Sequence, residues 1–186
     1  IAVRTNDSTI DKKVRCLRTH GMIKDPAQMA KYDGPWYYEI HEVGYNYRIT
    51  DIQCSLGISQ IKKIERFVER RREIAQRYHS NINEHPEFTL PHEHHSVKHS
   101  YHLFPLAINF SKLSLTRIEL FEKMKRGGVE LQVHYIPIHF HPYYREALSL
   151  ESVCCPTTEK LYSREVSLPI YPLLADAEVD KVSELI

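Results

Sequence analysis

The sequence predicts a mixed α/β fold, and three observations carry that prediction. Two capping boxes, Thr50-Asp51-Ile52-Gln53 and Thr116-Arg117-Ile118-Glu119, each open an apolar run with helical periodicity. Extended apolar runs at Tyr101–Phe110 and Val129–His134 read as strands. Pro142 and Pro156 stand where first helical positions are expected. The resulting order is strand–helix, long helix, strand–helix–strand, helix, short strand, helix.

Ile1-Ala2-Val3-Arg4-Thr5 reads as a strand, turned by Asn6-Asp7-Ser8 into a helix that runs to about Thr19. Asp7 or Ser8 caps it, Ile10, Val14 and Leu17 share one face, and Gly21 stops it. A first strand with no partner nearby suggests that an N-terminal portion is missing. Residues 22–45 form a long polar and aromatic connection with Pro26, Gly34-Pro35 and Trp36-Tyr37-Tyr38. Connections of that length are functional or disordered, and so many aromatic residues argue against disorder.

The helix opened by Thr50 is expected to reach about Asn83, bending near Gly57. Ile61, Val68, Ala75 and Ile82 recur every seven residues, with Ile64 and Tyr78 interleaved and Arg71 breaking the pattern. Lys62, Lys63, Glu65, Arg66, Glu69, Arg70, Arg72, Glu73 and Arg77 read as its solvated faces. Pro86 and Pro91 mark a break, with a subdomain boundary within 84–99. Beyond the strand at 101–110, Ile118, Phe121 and Met124 should face inward on a helix stopped by Gly127-Gly128. Helices follow at Tyr143–Leu148 and from Pro156 toward Arg164. Ser167-Leu168-Pro169 is a short extended piece, and Asp176 opens a final helix with Val179, Val182 and Leu185 at spacing three.

Composition excludes several function classes. The 186 residues carry a net charge of +1, with 42% hydrophobic and 26% charged residues, enough to bury a core without commitment to nucleic acid or acidic membranes. No apolar run approaches the roughly 20 residues that span a bilayer, and no signal peptide opens the chain, so a cytoplasmic location is expected. Cys16, Cys54, Cys154 and Cys155 share no metal-ligand spacing and read as reduced structural thiols. His92, His94, His95, His99 and His102 cluster, as do His134, His139 and His141, but neither group has zinc-site spacing, so no metal is expected. Gly-x-Ser-x-Gly elbows and Gly-rich phosphate loops are absent from the sequence.

Two loops remain as candidate sites. Gly44-Tyr45-Asn46-Tyr47-Arg48 precedes a helix N-terminus, whose free amides suit an anion. Asn46 adds a neutral donor and Arg48 a planar fork matched to phosphate. Alternatively, Asn46 takes a left-handed turn conformation and Arg48 pairs with a nearby acid. In His134-Tyr135-Ile136-Pro137-Ile138-His139, the aromatic residues either touch a ligand or fill a domain interface.

Several segments, in order, resemble the DegT/DnrJ/EryC1/StrS family of pyridoxal-phosphate (PLP) sugar aminotransferases. Thr5-Asn6-Asp7 resembles the strand end after the family's cofactor-lysine loop, and Leu17-Arg18-Thr19-His20-Gly21-Met22 its Arg-x-His-Gly turn. Gly44–Arg48, Asp51-Ile52-Gln53 and Leu56-Gly57-Ile58-Ser59-Gln60 resemble its signature loop and helix. Ser100-Tyr101-His102-Leu103-Phe104 and Val133-His134-Tyr135-Ile136-Pro137 resemble its C-terminal strands. Gly34–Glu39, His134–Ile138 and Pro142-Tyr143-Tyr144 are most similar to the pseudaminic-acid branch.

The resemblance implies the C-terminal part of a fold-type-I, aspartate-aminotransferase-like enzyme. Residues 1–50 would be a remnant of the large PLP-binding domain, 51–84 a long connecting helix, and 85–186 a small α/β domain. It implies amino transfer from glutamate to a UDP-4-keto-6-deoxy-N-acetyl-hexose in bacterial surface-sugar biosynthesis, by a homodimer with shared active sites. Asn46 matches the residue that reaches the partner subunit's PLP phosphate. Arg48, His134, Tyr135, Tyr45 and, less directly, His102 fall at substrate-binding positions, while Tyr47 and Trp36 fall where they would wall the pocket. The family's Schiff-base lysine has no match here, so this chain alone is expected to be inactive and to need the N-terminal half that carries it. The competing expectation is a non-catalytic sugar-nucleotide-binding or dimerisation module.

Overall fold

The computed structural model describes residues 3–83, 85–150 and 152–186. Its contacts separate two units, Ile1–Ile61 and Lys62–Ile186.

In the first unit the expected opening strand does not form: Ile1 and Ala2 lie outside the described residues, and Val3–Thr5 are irregular. Helix α1 (Ser8–Leu17) starts where Asp7 Oδ1 accepts the amides of Thr9 at 2.7 Å and Ile10 at 3.2 Å. The long aromatic connection contains a short antiparallel pair, β1 (Met22–Ile23) with β2 (Glu39–Ile40). Glu39 organises it, accepting the amides of Ala30 at 2.9 Å and Lys31 at 3.1 Å beside His41 Nε2 at 2.6 Å. His41 first, then the Ala30 amide, pulls the Glu39 carboxyl down to about 2. Helix α2 (Asp51–Ile61) begins at the predicted capping box, with Thr50 N donating to Gln53 Oε1 at 3.0 Å and Gln53 N to Thr50 Oγ1 at 3.3 Å.

The helix expected from Thr50 to Asn83 is two helices. Lys62-Lys63 form a turn, and α3 (Ile64–Ile82) starts beyond it. The apolar stripe starts later than expected: Ile61 and Ile64 are exposed, whereas Ile74, Ala75, Tyr78 and Ile82 are buried. Strands β3 (Phe88–Thr89) and β4 (Phe104–Ile108) pair antiparallel, Phe88 opposite Ile108. In β4, Phe104, Leu106 and Ile108 alternate into the core, as a half-buried strand requires.

Helix α4 (Arg117–Arg126) carries the second predicted capping box. Leu120 and Met124, one turn apart, are its buried pair; Ile118 is exposed, correcting the expected inward face. Val129–His134 keeps one bridge, Gln132 to Ser167, in place of a full strand. Helices α5 (Pro142–Ala147) and α6 (Pro156–Arg164) each begin at their proline. Strand β5 (Glu165–Leu168) completes a β3–β4–β5 sheet, pairing Phe104 with Leu168 and Leu106 with Val166. Helix α7 (Asp176–Leu185) buries Val179 and Val182 in the core shared with α3, α4, β4 and β5.

Three arginines expected on solvated faces of the long helix are tertiary ties. Arg70 reaches Leu174 O at 2.6 Å and Asp176 Oδ1 at 2.7 Å; Arg77 pairs with both carboxylate oxygens of Asp180, at 2.6 and 2.5 Å. Arg72 meets Glu93 Oε1 at 2.6 Å. Arg71, which interrupts the apolar repeat, donates to three carbonyls: Tyr101 at 3.0 Å, His102 at 3.2 Å and Ile170 at 2.9 Å. Tyr78, fully buried two turns further along α3, donates its hydroxyl to Pro169 O at 2.8 Å, and burial pushes its phenol upward. Replacing Arg71 with Met leaves those carbonyls without a charged donor. We expect Arg71→Met to lower unfolding stability by about 3 kcal/mol in urea titrations, whereas Arg66→Met on an exposed position should change it by less than about 0.5 kcal/mol.

Candidate functional site

The first candidate loop is fixed by backbone rather than side chains. Tyr45 N donates to Leu17 O at 2.6 Å, His20 N to Tyr45 O at 2.8 Å and Tyr47 N to Arg18 O at 2.9 Å. These bonds lace Gly44–Tyr47 against the end of α1, with Asn46 bridged to Thr19. The approach is so close that a Cβ on Gly44 would lie 2.1 Å from Gly21 N, and one on Gly21 1.9 Å from Glu42 O. Gly21 also takes φ +72°, a left-handed value that glycine adopts without strain.

This rigid base presents its side chains outward. Tyr45 and Tyr47 stack at 4.8 Å between centroids, with planes 7° apart. Asn46 and Arg48 are exposed, and among the described residues their side chains make no hydrogen bond and Arg48 makes no ion pair. Among the described residues, those with positive φ other than glycine are His20, Tyr101 and Ser149, so Asn46 does not take the left-handed turn conformation. Both features of the alternative reading, the left-handed Asn46 and the paired Arg48, are therefore absent among the described residues. Two residues, Ile49 and Thr50, separate the loop from α2. Trp36 stands exposed on the connection organised by Glu39.

In the second unit, β5 alternates Glu165-Val166-Ser167-Leu168. Val166 and Leu168 join the core, and Glu165 and Ser167 point to the opposite face, both nearly buried at 3% and 5% exposure. There they hold His134. Its amide donates to Glu165 Oε2 at 3.0 Å, its Nδ1 lies 2.8 Å from Ser167 Oγ, and Ser167 Oγ donates to Glu165 Oε1 at 2.5 Å. Tyr135 follows through a cis peptide bond, 74% exposed, its ring edge-on to His134 at 4.6 Å. Sequence reasoning did not single out Glu165 and Ser167 as site residues. The signal for them was present: two polar residues on one side of an otherwise apolar strand.

His102 stands apart from this group. Its ring is exposed, and its carbonyl belongs to the Arg71 tie. The preceding histidine-rich loop is pinned by an acid. Glu93 Oε1 accepts from Arg72 at 2.6 Å and from the His99 amide at 2.9 Å, and Glu93 Oε2 accepts from Tyr101 at 3.1 Å. Arg72 first, then the His99 amide, lowers the Glu93 carboxyl to about 2. The loop is thus anchored through Glu93. No group of three or more His, Cys, Asp or Glu side chains is arranged for a metal ion among the described residues, and the four cysteines are free. No helix among those residues is long and apolar enough to cross a membrane.

A family model described as the DegT/DnrJ/EryC1/StrS aminotransferase family matches residues 2–186. An uncharacterised protein of Methanocaldococcus jannaschii is 41% identical over 95% of this chain and 46% of its own length. A UDP-4-amino-4,6-dideoxy-N-acetyl-beta-L-altrosamine transaminase of Campylobacter jejuni is 32% identical over 91% of this chain and 42% of its own. Helicobacter pylori PseC, an aminotransferase involved in the biosynthesis of pseudoaminic acid, superposes with a TM-score of 0.84 at 29% identity, over 97% of this chain and 46% of its own. The chain therefore spans about half the length of the relatives it matches.

Two outcomes follow from these geometries. Gly44→Ala should force the loop away from α1, so the amides of Tyr45 and Tyr47 exchange with solvent deuterium at least about tenfold faster, a local loss of about 1.4 kcal/mol. Because its carboxyl is lowered in the fold, Glu93 contributes stability that is complete above its ordinary value of 4.5 and is lost as pH falls toward about 2. Glu93→Gln should remove that portion of the acid slope in denaturation measured from pH 7 downward, leaving the other carboxyls' contributions.

Proposed function

This chain belongs to the DegT/DnrJ/EryC1/StrS aminotransferase family, and we propose that it forms the C-terminal portion of a PLP-dependent sugar-nucleotide aminotransferase. The proposed reaction moves an amino group from glutamate to C4 of a UDP-linked 4-keto-6-deoxy-N-acetyl-hexose, in the cytoplasm, for bacterial surface-sugar synthesis. The likeness to the Campylobacter transaminase and to PseC supports this substrate class. The observation that carries the reading is the Gly44–Arg48 loop: a backbone-fixed platform holding an uncommitted amide and guanidinium at a helix start.

These residues fit the outer wall of a phosphate-bearing cofactor site. In this reading the exposed side-chain amide of Asn46 donates to the PLP phosphate of a second subunit. Arg48 offers a two-pronged donor to the sugar-nucleotide diphosphate or braces the same loop. The stacked Tyr45 and Tyr47 give that wall a flat apolar face, and Trp36 extends it. For His134, Tyr135 and, less directly, His102 we propose contacts to the substrate. When bound, PLP supplies the electron sink for amino transfer. This chain's residues bind, orient and exclude water, while the lysine that anchors PLP comes from an N-terminal half of the same enzyme. Within residues 3–61, Gly21 is the one buried residue, which supports assembly with further polypeptide in a homodimer with shared sites.

The test is reconstitution. The chain is mixed with an N-terminal half that carries the lysine, together with PLP, glutamate and the keto sugar nucleotide. Amino-sugar product is expected from the mixture and from neither part alone. Product from this chain alone would overturn the division of labour, and sugar-nucleotide binding without product from the mixture would favour a non-catalytic module. In the mixture, Asn46→Ala should weaken PLP retention about tenfold on gel filtration, the loss of one hydrogen bond to a charged group. Unchanged retention would remove the phosphate role.

A further inference from the structure

The contacts around His134 determine where its proton sits. Ser167 has one hydroxyl hydrogen and two lone pairs. Its Oγ lies 2.5 Å from Glu165 Oε1, in the range of a charge-assisted O–H···O⁻ bond, so the hydrogen is given to Glu165. The other Glu165 oxygen accepts the His134 amide at 3.0 Å, so both oxygens act as acceptors. With its hydrogen spent, Ser167 Oγ can only accept from His134 Nδ1, 2.8 Å away. A neutral imidazole that donates from Nδ1 has no hydrogen on Nε2.

We propose that Glu165 and Ser167 are positioning residues that hold His134 in its Nδ1–H form and keep Nε2 as a bare acceptor. Among the described residues Nε2 has no hydrogen-bond partner. The ring is half-buried, and its immobilised edge is the one bound to β5. A bare imidazole nitrogen accepts from a hydroxyl or an N–H donor and repels a carbonyl oxygen. It therefore selects the hydroxyl-bearing edge of a sugar over its keto group. That selectivity rests on the reading of His134 as facing the substrate; the tautomer itself does not.

The experiment reads the tautomer directly. The full chain is labelled with ¹⁵N-histidine, the His134 signals are identified among twelve histidines by their loss in His134→Gln, and spectra are taken where the ring is neutral. Wild type should show a protonated Nδ1 and an unprotonated Nε2. In Ser167→Ala both nitrogens should shift toward the averaged values of a mixed tautomer. A wild-type His134 protonated at Nε2 would overturn the proposal, because Ser167 would then be donating to the ring. So would an unchanged tautomer in Ser167→Ala. Should Ser167→Ala fail to fold, the wild-type spectrum still decides. The measurement needs neither PLP, sugar nor turnover. Failure of the aminotransferase reading would leave the tautomer as measured, and an inverted tautomer would leave His134 in the sugar pocket without its acceptor.

Discussion

The second unit depends on one guanidinium. Arg71 reaches from α3 to the carbonyls of Tyr101 and His102 just before β4, and to that of Ile170 just after β5. Tyr101 takes φ 45°, which costs a bulky residue on the order of 1–3 kcal/mol. Its carbonyl is bound by Arg71 and its hydroxyl by Glu93. The strained turn is thus held at both ends, and the turn sets where β4 enters the sheet. β5 pairs with β4 and presents Glu165 and Ser167, so the placement of His134 follows from a residue on a helix it does not touch in the hydrogen-bond network.

This dependence explains which parts of the fold were legible in the sequence. Capping boxes are complete within four residues, and both formed as read. Phe104, Leu106 and Ile108 declared their strand by alternation. Pro142 and Pro156 opened helices because their ring and missing N–H suit that position. Arg71 and Arg72 were opaque. An arginine at a gap in an apolar stripe looks like a solvated interruption unless the carbonyl or carboxylate that receives it is known, and those partners lie 21 to 99 residues away. Ile118 was misassigned for a related reason. Its ten-residue helix has apolar residues on more than one side, and only the facing surface selects Leu120 and Met124.

The candidate site divides along the same line. Asn46 and Arg48 were proposed from residue type and from their place before a cap. The main-chain lacing that makes their loop a platform is visible only as distances. Close approach explains the glycine at Gly21 and at Gly44, and that approach too is visible only as distances. The histidine-rich loop is the converse case. Its many imidazoles drew attention, yet a single glutamate beside Arg72 organises it.

Helix α2 has a consequence for handling the chain. Ile52, Leu56, Ile58 and Ile61 are between 58% and 84% exposed, and no residue of the helix is buried. Water disfavours such a surface, and neighbouring molecules offer it cover. Preparations of this chain should therefore grow cloudier as they are concentrated, hold chaperones through purification, and yield to proteases within residues 3–61 while Lys62–Ile186 survives as a compact core. Its solution behaviour would then be governed by the eleven residues of one helix.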